Sequence, residues 1–147
     1  DGVTIRQMTE KEMLEHFWSG AKQYQEFVSF NGRGFDAPFL MIRSAINAVR
    51  PTCDLMSNRY LSKQWNGPKH IDLFDQLSFY GATRRKGSLH LYSRAFGIKS
   101  PKSEGINGDD VGPLFKARKF KEIARYNVGD LRATSALYDY WKKDLNL

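Results

Sequence analysis

Hydrophobic positions recur along this chain with two alternating periods. Val3 to Gln7 alternates apolar and polar residues and is rich in β-branched side chains, which predicts a short strand. Thr9-Glu10-Lys11-Glu12 then has the form of a capping box, in which the Thr9 hydroxyl and the Glu12 carboxylate satisfy backbone groups at a helix start. Leu14, Phe17, Trp18, Ala21 and Tyr24 follow at helical spacing, so a helix is predicted from Glu10 to Gln25. Phe27 to Phe30 is a compact β-prone run and reads as a buried strand ending at Asn31.

Gly32 and Gly34 permit a sharp turn out of that strand. Asp36 reads as the N-cap of the next helix, with Pro38 in its first turn. Phe39, Ile42, Arg43, Ile46 and Val49 keep the helical period until Arg50-Pro51 stops it. Residues 51 to 69 read as irregular, His70 to Leu73 as a short strand, and Asp75 to Tyr80 as a helix closed by Gly81. Ser88 is positioned to cap a helix through Phe96, with Gly97 at its end, and Lys99 to Asp110 has the composition of an exposed loop. A short helix over Val111 to Ala117 and a long one from Phe120 to Lys143 complete the chain. With no repeat and no shift in composition, the 147 residues read as one domain, helix-rich and α/β.

Composition narrows the function classes. With 41% hydrophobic and 27% charged residues, the sequence is that of a folded protein rather than a disordered one. Its apolar runs are too short for a membrane span of roughly 20 residues. No segment has the form of a secretory signal, and a lone Cys53 fits a reducing compartment, so a cytoplasmic protein without membrane contact is expected. Lys and Arg outnumber Asp and Glu by 23 to 16, a balance that favours polyanionic partners. The cations cluster at Arg84 to Lys86, Lys116 to Lys121 and Lys142-Lys143, among aromatics such as Phe79, Tyr80, Phe115 and Phe120. Those rings read either as base-stacking groups or as core residues flanked by charge.

Two acidic signatures carry the candidate chemistry. Asp36 follows a glycine-rich turn directly after a strand, the place where α/β proteins present functional groups, and a carboxylate there serves as cap or as metal ligand. Asn31 beside it orients the turn, contacts a phosphate or, most simply, satisfies local backbone groups. Tyr126 and Asp130 stand four residues apart on a predicted helix, on one face, where a carboxylate holds Mg2+ or Mn2+ and a phenol bonds a metal-bound water. The plainer reading is an aromatic core position beside a solvated acid. His16, His70 and His90 lack zinc-ligand spacing, and Cys53 reads as an inert thiol. Asp72 and Asp75 read either as groups approaching the site or, more simply, as caps of the following helix.

The stretch from Phe27 to Leu40, containing Asn31-Gly32-Arg33-Gly34-Phe35-Asp36, resembles the second exonuclease motif of the proofreading domain of B-family DNA polymerases, and especially the stand-alone predicted 3'-5' exonucleases related to it. His70 to Ser78 is similar to the linking segment of that group. Glu122 to Thr134, with Tyr126-Asn127-Val128-Gly129-Asp130, resembles its last motif, so the resemblance runs from about Thr9 to Trp141. It implies a ribonuclease H-like fold and two-metal hydrolysis, with Mg2+ or Mn2+, of phosphodiesters at single-stranded or frayed 3' ends of DNA, in repair or proofreading, with RNA as an alternative substrate.

By the same resemblance Asp130 helps hold the water-activating metal, Tyr126 orients the nucleophile and places the chain in the tyrosine subgroup, and Asp36 reaches the second metal through water. Asn31, Gly32, Arg33 and Phe35 then line the nucleic acid, although Phe35 by itself reads more simply as core. The sequence departs from the family in lacking the Asp-x-Glu of the first strand, and Asn127 and Gly129 replace the Cys and Glu expected there. The expectation is an exonuclease domain whose first strands are absent from this chain, inactive alone, with a further N-terminal segment or partner chain completing the sheet. The alternative is a non-catalytic nucleic-acid-binding module. Residues 1 to 147 alone are accordingly expected not to unfold as one cooperative monomer, and a single two-state urea transition of a monomer overturns that expectation.

Overall fold

The computed structural model describes residues 4–99 and 108–146. They fall into two compact units, one from Arg6 to Thr83 and one that takes in the chain from Arg84 onward together with Thr4 and Ile5.

The first unit opens with α1 (Glu10–Ala21), begun by the predicted capping box: the Glu12 N–H donates to Thr9 Oγ1 at 3.3 Å and the Thr9 N–H to Glu12 Oε2 at 2.7 Å. Leu14, Trp18 and Ala21 are buried with Ala37, Val49 and Leu55, and Phe17, Phe27, Leu40, Met41 and Cys53 pack against this core. The helix ends four residues before the predicted Gln25. Gly20 weakens its last turn, and tighter bonds from Gln23 N–H to Gly20 O and from Tyr24 N–H to Ala21 O peel the chain away, leaving Tyr24 exposed.

Strand β1 (Glu26–Ser29) pairs in parallel with β2 (Lys69–Asp72), in a register that sets Phe27 opposite His70 and Ser29 opposite Asp72. Both strands were legible, but β1 is only half-buried where the sequence suggested full burial; β2 is the buried member, with His70, Ile71 and Asp72 inside. The crossover that parallel strands require is supplied by α2 (Asp36–Ile46) and an irregular stretch carrying one turn of 3-10 helix at Leu61–Lys63. A short α3 (Leu73–Leu77) follows β2 directly, starting two residues earlier than predicted, and Gly81 closes the segment at φ 91°.

Helix α2 has the predicted period but not the predicted face. Phe39, Ile42 and Ile46 are more than half exposed, whereas Ala37 and Ser44 are buried. The indole of Trp18 decides this. A buried N–H needs an acceptor, and Trp18 Nε1 donates to Ser44 Oγ at 2.7 Å while that hydroxyl donates to Leu40 O at 2.6 Å. Satisfying the indole turns the Ser44 side of α2 inward, and the Arg43–Glu10 ion pair holds the same two helices together at the surface. The helix stops at Ile46 rather than Arg50 because Ala48 adopts a left-handed φ of 55° and Val49 N–H bonds back to Ser44 O, which returns Val49 to the core.

The second unit is helical. Helix α4 (Leu89–Ala95) is capped by Ser88, whose hydroxyl accepts from Leu91 N–H at 3.2 Å, and Gly97 ends it at φ 68°. A 3-10 turn at Gly108–Asp110 leads into α5 (Val111–Lys116) and the 25-residue α6 (Phe120–Asp144). The buried stripe of α6 is Ala133, Thr134, Leu137 and Trp141, and its Tyr140 ring lies 5.2 Å from Phe96 at the end of α4.

Thr4 to Gln7 forms no strand, contrary to expectation, while Val3 and residues 100–107 of the expected loop lie outside the described residues. The result is a helix-rich α/β arrangement with a small two-stranded parallel sheet. No helix among the described residues is long and apolar enough to cross a membrane. Ser44→Ala leaves the Trp18 N–H buried without an acceptor and should cost about 1–3 kcal/mol in urea unfolding; an unchanged midpoint would remove this bond as the determinant of the α2 face.

Candidate active site

The glycine-rich turn is built at the carboxyl ends of both strands. After Ser29 the backbone passes through Asn31 in the left-handed region at φ 61°, a conformation that Asn tolerates better than most residues. Bonds from Gly34 N–H to Asn31 O at 3.1 Å and from Ala37 N–H to Gly32 O at 2.8 Å then wind the chain straight into α2. Gly32 is obligatory for a packing reason: a Cβ there would stand 2.4 Å from both Cβ and Oγ of Ser29.

The turn is held by a residue that sequence reasoning treated mainly as a cap. Asp72, only 3% exposed, accepts from Asn31 N–H at 2.7 Å and Arg33 N–H at 2.9 Å, and also from Phe74 N–H at 3.0 Å. The capping role is real, and one carboxylate additionally pins the turn. Asp75 does not cap; it receives Arg59 through Nε at 3.0 Å and Nη2 at 2.6 Å.

Beneath the turn, His70 Nδ1 lies 2.8 Å from Leu55 O and its Nε2 lies 2.8 Å from Ser29 Oγ. A carbonyl can only accept, so Nδ1 carries the proton and Nε2 accepts from the Ser29 hydroxyl. Burial holds the imidazole below its ordinary pKa, against the pull of the Leu55 carbonyl and the Asp72 charge, and so favours the neutral tautomer. Arg33, expected along the nucleic acid, directs its guanidinium to the carbonyls of Ser57 at 2.6 Å and of Leu55 and Met56 at 3.4 Å. It clamps the loop over residues 55–57.

Asp36 is the first residue of α2; Phe35 occupies the cap position and makes no side-chain capping bond. The expected N-cap is thus displaced by one residue, and the Asp36 carboxylate accepts its own backbone N–H instead. One of its oxygens lies 3.5 Å from where a Cβ on Gly32 would sit, so the group folds back over the turn. Burial of that end, joined by the nearby charge of Asp72, pushes its pKa above the ordinary carboxylate value despite the bond to its own N–H. Phe35 is 64% exposed and stacks on Phe39 with centroids 5.8 Å apart and planes at 9°, which corrects its simpler reading as a core residue.

The other signature behaves as its spacing predicts. On α6 the Tyr126 hydroxyl is hydrogen-bonded to Asp130, one turn on. Burial first, then the Asp130 charge and this bond, raise the phenol above its ordinary pKa, so it remains a proton donor at neutral pH. Asp110, at the end of the 3-10 turn, adds a second negative charge near the phenol. Asp110 lies in a stretch with loop composition, and only the fold associates it with Tyr126.

Asp36 with Asn31, Gly32, Arg33 and Phe35 belongs to the first unit, and Tyr126 with Asp130 to the second. Their oxygen donors suit Mg2+ or Mn2+. Among the described residues, however, no three His, Cys, Asp or Glu side chains gather as a metal-holding group. An open groove of about 450 Å³ bordered by Met8, Glu12, Glu15 and His16 contains none of the expected site residues.

Residues 2–142 match a family model described as a predicted 3'-5' exonuclease related to the exonuclease domain of PolB, and the chain belongs to that family. No curated protein and no solved structure matches the chain.

The raised pKa of Asp36 has a definite sign in stability. A folded-state pKa above the unfolded one means that the native state binds more protons, so ionised Asp36 opposes folding at neutral pH and ceases to do so below the carboxylate range. Asp36→Asn should therefore be slightly more stable than the parent at pH 7, the gain being limited by solvent screening, and equal to it near pH 3. Denaturant unfolding at the two pH values checks this, and a loss of stability at pH 7 contradicts it.

Proposed function

On the premise that the chain belongs to this exonuclease family, we propose that it acts in metal-dependent hydrolysis of phosphodiesters at 3' ends of single-stranded or frayed DNA, on a ribonuclease H-like scaffold. The observation that carries this reading is the hydrogen-bonded Tyr126–Asp130 pair, which lies within the matched span in the stretch that resembles the family's last motif. Exonuclease domains of this kind generally use divalent metals, and Asp130 and Asp36 are the carboxylates assigned to hold them here. A bound divalent cation lowers the pKa of the attacking water and neutralises charge developing on the phosphate.

The protein groups around it have separate tasks. Tyr126, kept protonated by burial and by Asp130, is a fixed donor that orients the water. Asp36 is free of helix capping and directs its carboxylate over the turn rather than along the helix. The Phe35–Phe39 stack offers an aromatic face beside Asp36 for the terminal base. Arg33 keeps the supporting loop closed and so acts through position rather than through the substrate.

A further segment or partner chain, in this reading, supplies the remaining strands and carboxylates of a single catalytic domain. A two-stranded sheet is marginal by itself, and the exposed Ile42 and Ile46 side of α2 is an apolar surface suited to cover. The second reading, a non-catalytic nucleic-acid-binding module, is favoured by the lack of any Asp-x-Glu in the sequence and of a three-ligand group among the described residues.

Digestion of a 5'-labelled single-stranded DNA with Mg2+ or Mn2+ separates the two. Cation-dependent shortening from the 3' end that falls about 10- to 100-fold in Asp36→Ala, and further in Asp130→Ala, supports the enzyme. Cation-independent binding without cleavage supports the module. Unchanged cleavage in both variants sinks the residue assignment.

A further inference from the structure

The corner between α5 and α6 has no part in the site described above, yet it combines three features that point to a ligand. Phe115 and Phe120, one from each helix, meet edge to face with centroids 5.5 Å apart, but remain 63% and 53% exposed. Rings left this open contribute little to a core. The chain from Lys116 to Arg125 carries five cations against one carboxylate, Glu122, which pairs with Lys119 at 3.4 Å. Finally, the turn places Arg118 at φ 56°, a left-handed conformation at a helix end where glycine is the unstrained choice. Arg118 N–H bonds to Phe115 O at 3.0 Å and Lys119 N–H to Leu114 O at 2.9 Å, so the turn is fixed in that form. A backbone that tolerates this strain carries an exposed arginine in the turn that joins the two exposed phenylalanines.

We propose that this corner is a stacking platform for single-stranded nucleic acid. It rests on the reading of a nucleic-acid strand as substrate and names a second place where that strand is held. Aromatic faces take bases without regard to sequence, while the surrounding cations follow the phosphates. Phe120 precedes Tyr126 by six residues and Asp130 by ten on the same helix, or roughly 9 and 15 Å along its axis. A strand stacked at the corner is thereby tethered within a few nucleotides of that pair. An acidic peptide would satisfy the cations but would leave the two rings without stacking partners, so the nucleic acid is the better fit.

Fluorescence anisotropy in EDTA, where cleavage is suppressed, tests the platform with an oligo-dT, an oligo-rU and a poly-glutamate peptide as probes. Phe115→Ala/Phe120→Ala should weaken oligonucleotide binding ~10- to 100-fold, whereas Phe115→Tyr/Phe120→Tyr should bind within about threefold of the parent. Arg118→Gly offers a control that a purely structural role cannot mimic: the melting temperature should rise as strain is relieved while affinity and its salt dependence fall. Preference for dT or rU identifies the kind of strand held, and either supports the platform.

Binding that is undetectable in the parent, unaltered in the Ala variant, equally lost in the Tyr variant, or stronger for the peptide overturns it. The exonuclease reading fails separately. Platform variants that lose binding while cleavage ignores Asp130→Ala would leave a binding surface without the assigned enzyme. Cleavage that requires Asp130, with binding indifferent to Phe115 and Phe120, would leave the enzyme without this surface.

Discussion

The carboxylate of Asp72 is the constraint on which the glycine-rich turn depends. A carboxylate withdrawn almost completely from water is costly unless its oxygens are satisfied, and here three backbone N–H groups satisfy it, two from the turn after β1 and one from the start of α3. It joins positions 41 residues apart at the strand ends, where a two-stranded sheet has little else to fix it. The rest of the turn follows from that anchorage. Asn31 is kept left-handed, Gly32 is pressed against Ser29 where no side chain fits, and the backbone leaves in the direction that makes Asp36 the first residue of α2. The Ser29–His70–Leu55 chain then fills the space below with groups whose protons are all assigned.

What was legible in the sequence is what short-range geometry determines. The Thr9 capping box, the Ser88 cap, the Gly97 ending and the Tyr126–Asp130 contact each depend on residues within a few positions, so spacing alone specifies them. The extent of α6 was equally clear, because its apolar stripe persists over many turns. Strand positions were readable for the same reason.

Partners far apart in the chain were not legible. The face of α2 turned on a hydrogen bond between Trp18 and Ser44, and a period of 3.6 residues cannot say which of two amphipathic sides a distant indole will claim. Arg33 gave no sign that it would clamp carbonyls more than twenty residues away, and Asp75 none that it would receive Arg59 rather than cap its own helix. Val3 to Gln7 shows the converse error. Alternation suggested a strand, but a strand needs a neighbour, and Thr4 to Gln7 pairs with no strand among the described residues. Phe115 and Phe120 illustrate a third case, since a ring flanked by cations has the same sequence pattern whether it faces the core or water.

The two acids assigned to the reaction differ in physical status, and the difference bears on what each awaits. Asp130 already has a donor in Tyr126 on its own helix, and burial, with the Asp130 charge and this bond, keeps the phenol protonated. Asp36 is less favourably placed: its carboxyl is partly withdrawn from water near a second acid, and its own N–H compensates only in part, so its pKa remains raised. It caps no helix. A group that folding would rather keep uncharged is characteristic of sites whose electrostatics are completed by a ligand. Positive charge beside Asp36 would lower its pKa and offset its repulsion from Asp72, which is the electrostatic ground for the proposal that Asp36 holds a divalent cation.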